Sequence, residues 1–161
     1  MSAIDLLKSQ HREVEKLFSQ IEKTKNSEHK ASLFEKIADK LAVHAAIEEH
    51  HFYPAVKERR TEDILLEAVE EHLGMKRVLA DLLKTDVEDE TFDAKIKVLK
   101  EEVEHHVGEE EKDLFPKVKK ILGEAELDAL EQEMVAEQEE LEAAGDPRAS
   151  IPSETGEAAP V

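Results

Sequence analysis

The stretch Phe34-Glu-Lys-Ile-Ala-Asp-Lys-Leu-Ala-Val-His-Ala-Ala-Ile-Glu-Glu-His-His-Phe52 decides the fold. Phe34, Ile37, Leu41, His44, Ala45, Glu48 and Phe52 recur at the three-and-four spacing that keeps side chains on one face of a helix. Adding 62 to each number gives Ile96, Leu99, Val103, His106, Val107, Glu110 and Leu114, so the apolar positions and the polar intruders repeat together. Two further stripes repeat with an offset of 61. Ile4, Leu7, His11, Val14, Phe18 and Ile21 run parallel to Leu65, Ala68, His72, Met75, Leu79 and Leu82. Each stripe carries one histidine, and two carry a glutamate four residues beyond it.

Four amphipathic helices follow. The first spans about residues 3 to 24, with Ser2 and Asp5 spaced as a capping box. The second is expected from Ser32, with Glu35 completing a second capping box, through the His44 segment to a kink or tightened turn at Pro54. Thr61 is the N-cap expected for the third helix, which reaches about Lys84 before the acidic connection Thr85 to Glu90. The fourth ends at Leu122 with Gly123 as its stop, and Pro116 mirrors Pro54. Gly108 costs this helix about 1 kcal/mol relative to alanine, with no compensating role visible in the sequence. The fold class is thus all-α, a bundle over residues 1 to 122. A further amphipathic helix, 124 to 144, carries Leu127, Leu130, Met134 and Leu141, which either cap the bundle or pair with another chain; capping is preferred. Residues 145 to 161 have the Pro, Ser and Gly content of a disordered tail without chemistry.

Composition narrows the function. A chain of 161 residues is long enough for one core without disulfides, and with no cysteine any metal must sit on nitrogen and oxygen. The 22 basic residues against 40 acidic ones give a formal charge of −18, which repels phosphate backbones and anionic lipid surfaces. No segment approaches the length of a membrane span, and the N-terminus lacks the pattern of a signal peptide. A cytoplasmic protein without nucleic-acid or membrane partners is expected.

The polar seam residues carry the chemistry. A lone His11 on an apolar stripe reads as a core histidine, and an ion pair would account for His44 with Glu48. Six such residues at repeat-matched seam positions are different, because burying them without a strong common partner costs several kcal/mol. Imidazoles suit iron, copper, nickel and zinc, and a carboxylate can bridge two cations. The repeat suggests His11 and His44 on one metal, His72 and His106 on the other, with Glu48 and Glu110 between them. His105 and Glu109 share the spacing of His106 and Glu110, but the doublets Glu48-Glu49 and Glu110-Glu111, each placed alike before Pro54 and Pro116, align His106 with His44. His105 is left beside the seam. His51 and its counterpart Asp113 are candidate extra ligands or orienting partners, and His29 and His50 read as surface residues.

These motifs resemble the hemerythrin HHE cation-binding family. The shared pattern is a histidine on the first helix, His44-Ala-Ala-Ile-Glu48 on the second, a histidine on the third, and His106-Val-Gly-Glu-Glu110 on the fourth, with Glu-Glu-x-x-x-Tyr/Phe-Pro endings. The resemblance implies an antiparallel four-helix bundle around a non-haem centre of two iron ions, oxo- or hydroxo- and carboxylate-bridged, that binds O2 or related small ligands. The chain departs from oxygen-carrying members at two places. Lys76 stands where they have a second histidine on the third helix, and Glu110 lies four residues after its histidine where they have an aspartate five after. A coordination position is thereby left for water, for substrate, or for Glu15, four residues after His11. Binding or sensing of O2, NO or iron is the preferred function. Decomposition of peroxide or oxidation of iron is the second, and a partner-binding bundle acting through its last helix is the third.

Overall fold

The computed structural model describes residues 1–161 as an antiparallel four-helix bundle with an added helix and a C-terminal strap. The first bundle helix is α1 (Ala3–Lys23), and the second is α2 (Ser27–Ile47), continued by a π-helical turn (Glu48–Phe52) and the short α3 (Tyr53–Val56). The third is α4 (Glu62–Leu83). The fourth is α5 (Phe92–Glu109), continued by a second π-helical turn (Glu110–Leu114) and α6 (Phe115–Ile121). Helix α7 (Glu124–Ala144) lies along α1 and α2, with Leu127, Leu130 and Met134 buried against the bundle, and a 3₁₀ segment (Pro147–Glu154) packs over α2 and α4.

Local chemistry sets the ends. The Ser2–Asp5 capping box opens α1. Helix α2 begins five residues earlier than the sequence suggests, because the Asn26 side chain accepts the His29 N–H at 2.9 Å and so starts the helix before Ser32 is reached. Thr61 precedes α4 but does not cap it with its side chain. It is buried, and its hydroxyl donates to the Val56 carbonyl at 2.8 Å and accepts the Glu58 N–H at 3.0 Å, closing the loop between α3 and α4. Where the sequence predicts a kink or tightened turn at Pro54, the helix widens instead. Pro54 and Pro116 have no N–H to donate, and the turn just before each is π-helical, its last N–H (Tyr53, Phe115) bonding back five residues to Glu48 and Glu110.

Two apolar clusters fill the bundle. One gathers Phe18, Phe34, Ile37, Leu79, Phe92 and Leu99; the other gathers Ile4, Leu7, Ile47, Phe52, Leu65 and Phe115. The seam histidines and glutamates are buried as well but belong to neither cluster.

The C-terminal residues are not the disordered tail that their composition suggests. Gly145 (φ 82°) and Asp146 (φ 47°) both have positive φ, Asp146 in the left-handed helical region, and together they turn the chain after α7. Arg148 then clamps Asp39 with two N–H···O contacts of 3.1 and 3.0 Å, and Ile151 is 1% exposed within the first apolar cluster. Composition describes average behaviour; here a buried isoleucine, the Arg148–Asp39 pair and the contacts of Lys76 and Arg77 with Glu154 and Thr155 tie the segment to the bundle.

Candidate metal centre

All six seam residues named from the sequence, His11, His44, Glu48, His72, His106 and Glu110, are buried, and the fold brings them into one layer. Donor atoms of His11, His44, Glu48 and Glu110 lie within 4.8 Å of one another, and so do those of Glu48, His72 and His106. The shared Glu48 joins the two groups. Its Oε1 stands 3.1 Å from His44 Nε2, 3.1 Å from His72 Nε2 and 3.7 Å from His106 Nε2. Glu110 Oε1 stands 3.2 Å from His11 Nε2 and 3.4 Å from His106 Nε2.

The outward nitrogens explain why the inward ones are available. His11 Nδ1 donates to Glu111 at 2.6 Å, His72 Nδ1 to Glu49 at 2.7 Å, His106 Nδ1 to Glu71 at 2.7 Å, and His44 Nδ1 to Gln10 Oε1 at 2.6 Å. A carboxylate can only accept, and the Gln10 amide is oriented by its own donation to Gln138 at 2.9 Å. Each imidazole therefore carries a proton on Nδ1 and directs Nε2 into the centre. These four acceptors were not identified from the sequence. The signal was present as polar doublets, Gln10-His11 with Glu71-His72 and Glu48-Glu49 with Glu110-Glu111, because neighbours on a helix lie about 100° apart and one can face the centre while the other reaches the flanking helix.

Tyr53 was also missed as a site residue. The π-helical turn places it five residues beyond Glu48 on the inner face, where its hydroxyl donates to Glu110 Oε2 at 2.9 Å and lies 3.3 Å from His72 Nε2. Its ring stacks on His72 at 5.6 Å, as Phe115 stacks on His11 at 6.0 Å. The aromatic before each proline thus backs one imidazole in each half of the repeat.

Several lesser candidates fall outside the centre. Lys76 does not face it as an open position. The ammonium is buried and donates to Glu49 at 3.0 and 3.1 Å and to Glu154 at 3.1 Å, which fixes the carboxylate that holds His72. Glu15 is exposed and pairs with Arg12, so it replaces no ligand. His51 meets Glu137 on α7 at 2.9 Å, and Asp113 pairs with Lys117. His105 is exposed and touches Glu71 at 3.2 Å, one hydrogen bond removed from His106.

Electrostatics fit a cation. His72 Nε2 and His106 Nε2 face each other at 3.1 Å; with the Nδ1 protons committed outward, two lone pairs meet there unless a proton or metal intervenes. His44 Nε2 and Glu48 Oε2 are buried without a hydrogen-bond partner, donors left for coordination in a layer where orphan polar atoms are costly. Burial alone would lower the His72 and His106 pKa values, yet Glu48 and Glu49 outweigh it at His72 and Glu110, Glu48 and Glu71 at His106, so both are raised, His106 well above its ordinary value. Burial likewise raises Glu48, but the imidazoles and Glu110 hold it well below the usual carboxylate range. The cluster seeks positive charge.

Comparison with known proteins places the chain in a family of cation-binding domains. The model of the hemerythrin HHE cation binding domain matches residues 2–118, and the chain belongs to that family. The crystal structure of a hemerythrin HHE cation binding domain-containing protein from Mycobacterium kansasii superposes with a TM-score of 0.81 at 27% identity, covering 94% of this chain and 97% of that one. An uncharacterized protein of Mycobacterium tuberculosis is 30% identical over 143 residues, 88% of each chain. A DNA nickase of Nostoc sp. is 27% identical over 119 residues, 74% of this chain; the chain spans only 34% of that relative's length. No helix is long and apolar enough to cross a membrane.

Proposed function

We propose that the protein holds two iron ions, His11 and His44 on one, His72 and His106 on the other, with Glu48 and Glu110 between them, and uses the centre to bind or sense a small ligand such as O2 or NO. The observation that carries this is the convergence of four Nε2 atoms, each freed by an outward Nδ1 hydrogen bond, on two buried carboxylates. Iron bound there supplies redox electrons and coordination positions open to a ligand. The chain's own part is to orient the imidazoles through Gln10, Glu49, Glu71 and Glu111, to hold the Tyr53 proton at Glu110 Oε2, and to keep water out with the apolar clusters on the surrounding helices.

Metal content per chain after purification without chelator, together with an optical spectrum, tests the proposal. Two irons and a near-ultraviolet charge-transfer band are expected; trace metal after iron reconstitution overturns it. One feature favours peroxide decomposition as a second reading. Lys76 is tied to Glu49 and Glu154, so α4 contributes one nitrogen where oxygen carriers contribute two, which suits turnover over reversible carriage. Steady-state peroxide consumption by the iron-loaded protein separates the two.

A further inference from the structure

A small cavity of about 30 Å³ adjoins the four histidines. Its walls include Val14, Leu41, Met75, Leu79 and Val103, and its outer side is made by Ile151 and Glu154 of the 3₁₀ segment. One water needs roughly 10–15 Å³ of such space, so the cavity takes about two heavy atoms. The segment that closes it is firmly attached. Arg148 is clamped to Asp39, Arg77 donates to the Thr155 carbonyl at 3.0 Å, and the Lys76–Glu154 pair fastens its edge to α4 at 3.1 Å. Ile151 and Glu154 also lie beyond residues 2–118, the part of the chain that the family model matches.

We propose that Ile151 and the Lys76–Glu154 pair determine which ligands reach the centre, admitting small neutral molecules of about two heavy atoms and excluding larger or anionic ones. The walls supply the first half of that selection. Apolar side chains offer an anion no hydrogen bonds, and the one cation at the edge, Lys76, is already matched by Glu49 and Glu154. Ile151 supplies the second half, since its side chain sets how far the cavity extends toward solvent. This inference rests on the proposed function, in that it takes the centre as the ligand's destination.

The test has a metal-free arm and a loaded arm, on the full chain. In the metal-free arm, diethyl pyrocarbonate modification of each histidine is followed by mass spectrometry, with exposed His29 and His50 as internal references. Ile151→Ala and, to a smaller degree, Glu154→Gln should raise the rates at His11, His44 and His72 several-fold and leave the references unchanged. In the loaded arm, nitric oxide association with the ferrous protein is measured by stopped flow. Ile151→Ala should speed it several-fold and Ile151→Phe slow it by a similar factor, at constant iron content. Unchanged modification in both Ile151→Ala and Glu154→Gln overturns the inference, as does nitric oxide association that ignores residue 151. If the protein takes up no iron, the proposed function fails while the metal-free arm still decides whether this segment guards the histidines.

Discussion

Each imidazole of the centre is gripped from behind by one acceptor, and two of them are backed by an aromatic ring, so orientation is fixed before any ligand arrives. Tyr53 does more than its counterpart Phe115, because only it brings a proton to Glu110. Tyr53→Phe keeps the ring and removes that donor. Leaving a buried carboxylate oxygen unmatched should cost about 1–3 kcal/mol of metal-free stability in urea denaturation, with two irons still bound after reconstitution. The neighbouring pairs supply a second test. His106→Ala or Glu110→Ala should strip most of the iron, since both side chains are buried in the centre, whereas His105→Ala or Glu109→Ala should remove little, both residues lying at the surface side of Glu71. Elemental analysis of the four variants decides. The six seam residues were legible because a repeat of polar residues at apolar positions is improbable without a shared purpose. The acceptors Gln10, Glu49, Glu71 and Glu111 were not, since on a chain this acidic a glutamate beside a histidine looks like solvated surface.

The elements explain why Tyr53 was hidden. A regular helix through residues 44 to 55 aims His51 inward and Tyr53 aside; the π-helical turn adds one residue per turn and rotates everything after Glu48. Proline in the sequence announced an irregularity at both sites, but a widened turn and a tightened one read alike until the carbonyl partners are known. The start of α2 is likewise decided by a contact that spacing does not show, because Asn26 rather than Ser32 turns its side chain back onto the helix N-terminus. Asn26→Ala should therefore cost about 1 kcal/mol of stability, while Ser32→Ala, at an exposed position inside the helix, should cost close to nothing. Thermal denaturation of the two variants distinguishes the starts. Gly108 is free of any packing reason, since a Cβ built there meets no atom within 4 Å. Gly108→Ala should stabilise α5 by about 0.5–1 kcal/mol on the same assay.

At the scale of the molecule, a charged layer is carried within an apolar bundle, and its stability must follow pH. In the metal-free protein His72 and His106 hold their protons more tightly than unfolded histidine does. A raised pKa contributes stability that is complete below the unfolded value of 6.5 and is lost as pH rises through the folded values. Glu48 and Glu49 are lowered, so their contribution is complete above 4.5 and is lost as pH falls through their folded values. Between those limits the metal-free protein should be most stable. Metal displaces the imidazole protons, so its binding strengthens with pH, and the gap in Tm between loaded and metal-free protein should widen from about pH 6 to about pH 8.5. A gap that narrows would contradict the assignment of these histidines to the metal.

The sequence by itself determined the helices, their pairing as two repeats, the inward face of each and the six residues on the seam, because hydrophobic periodicity is a local property that the chain displays directly. Only the tertiary structure decided the rest. Which acceptor holds which Nδ1, where the π-helical turns aim Tyr53, why Lys76 is drawn to Glu49 and Glu154, and how Ile151 closes the cavity are contacts between residues distant in the chain. Periodicity reports the face a residue occupies. Its partner there depends on how the helices are set against one another, and no spacing along the chain encodes that distance.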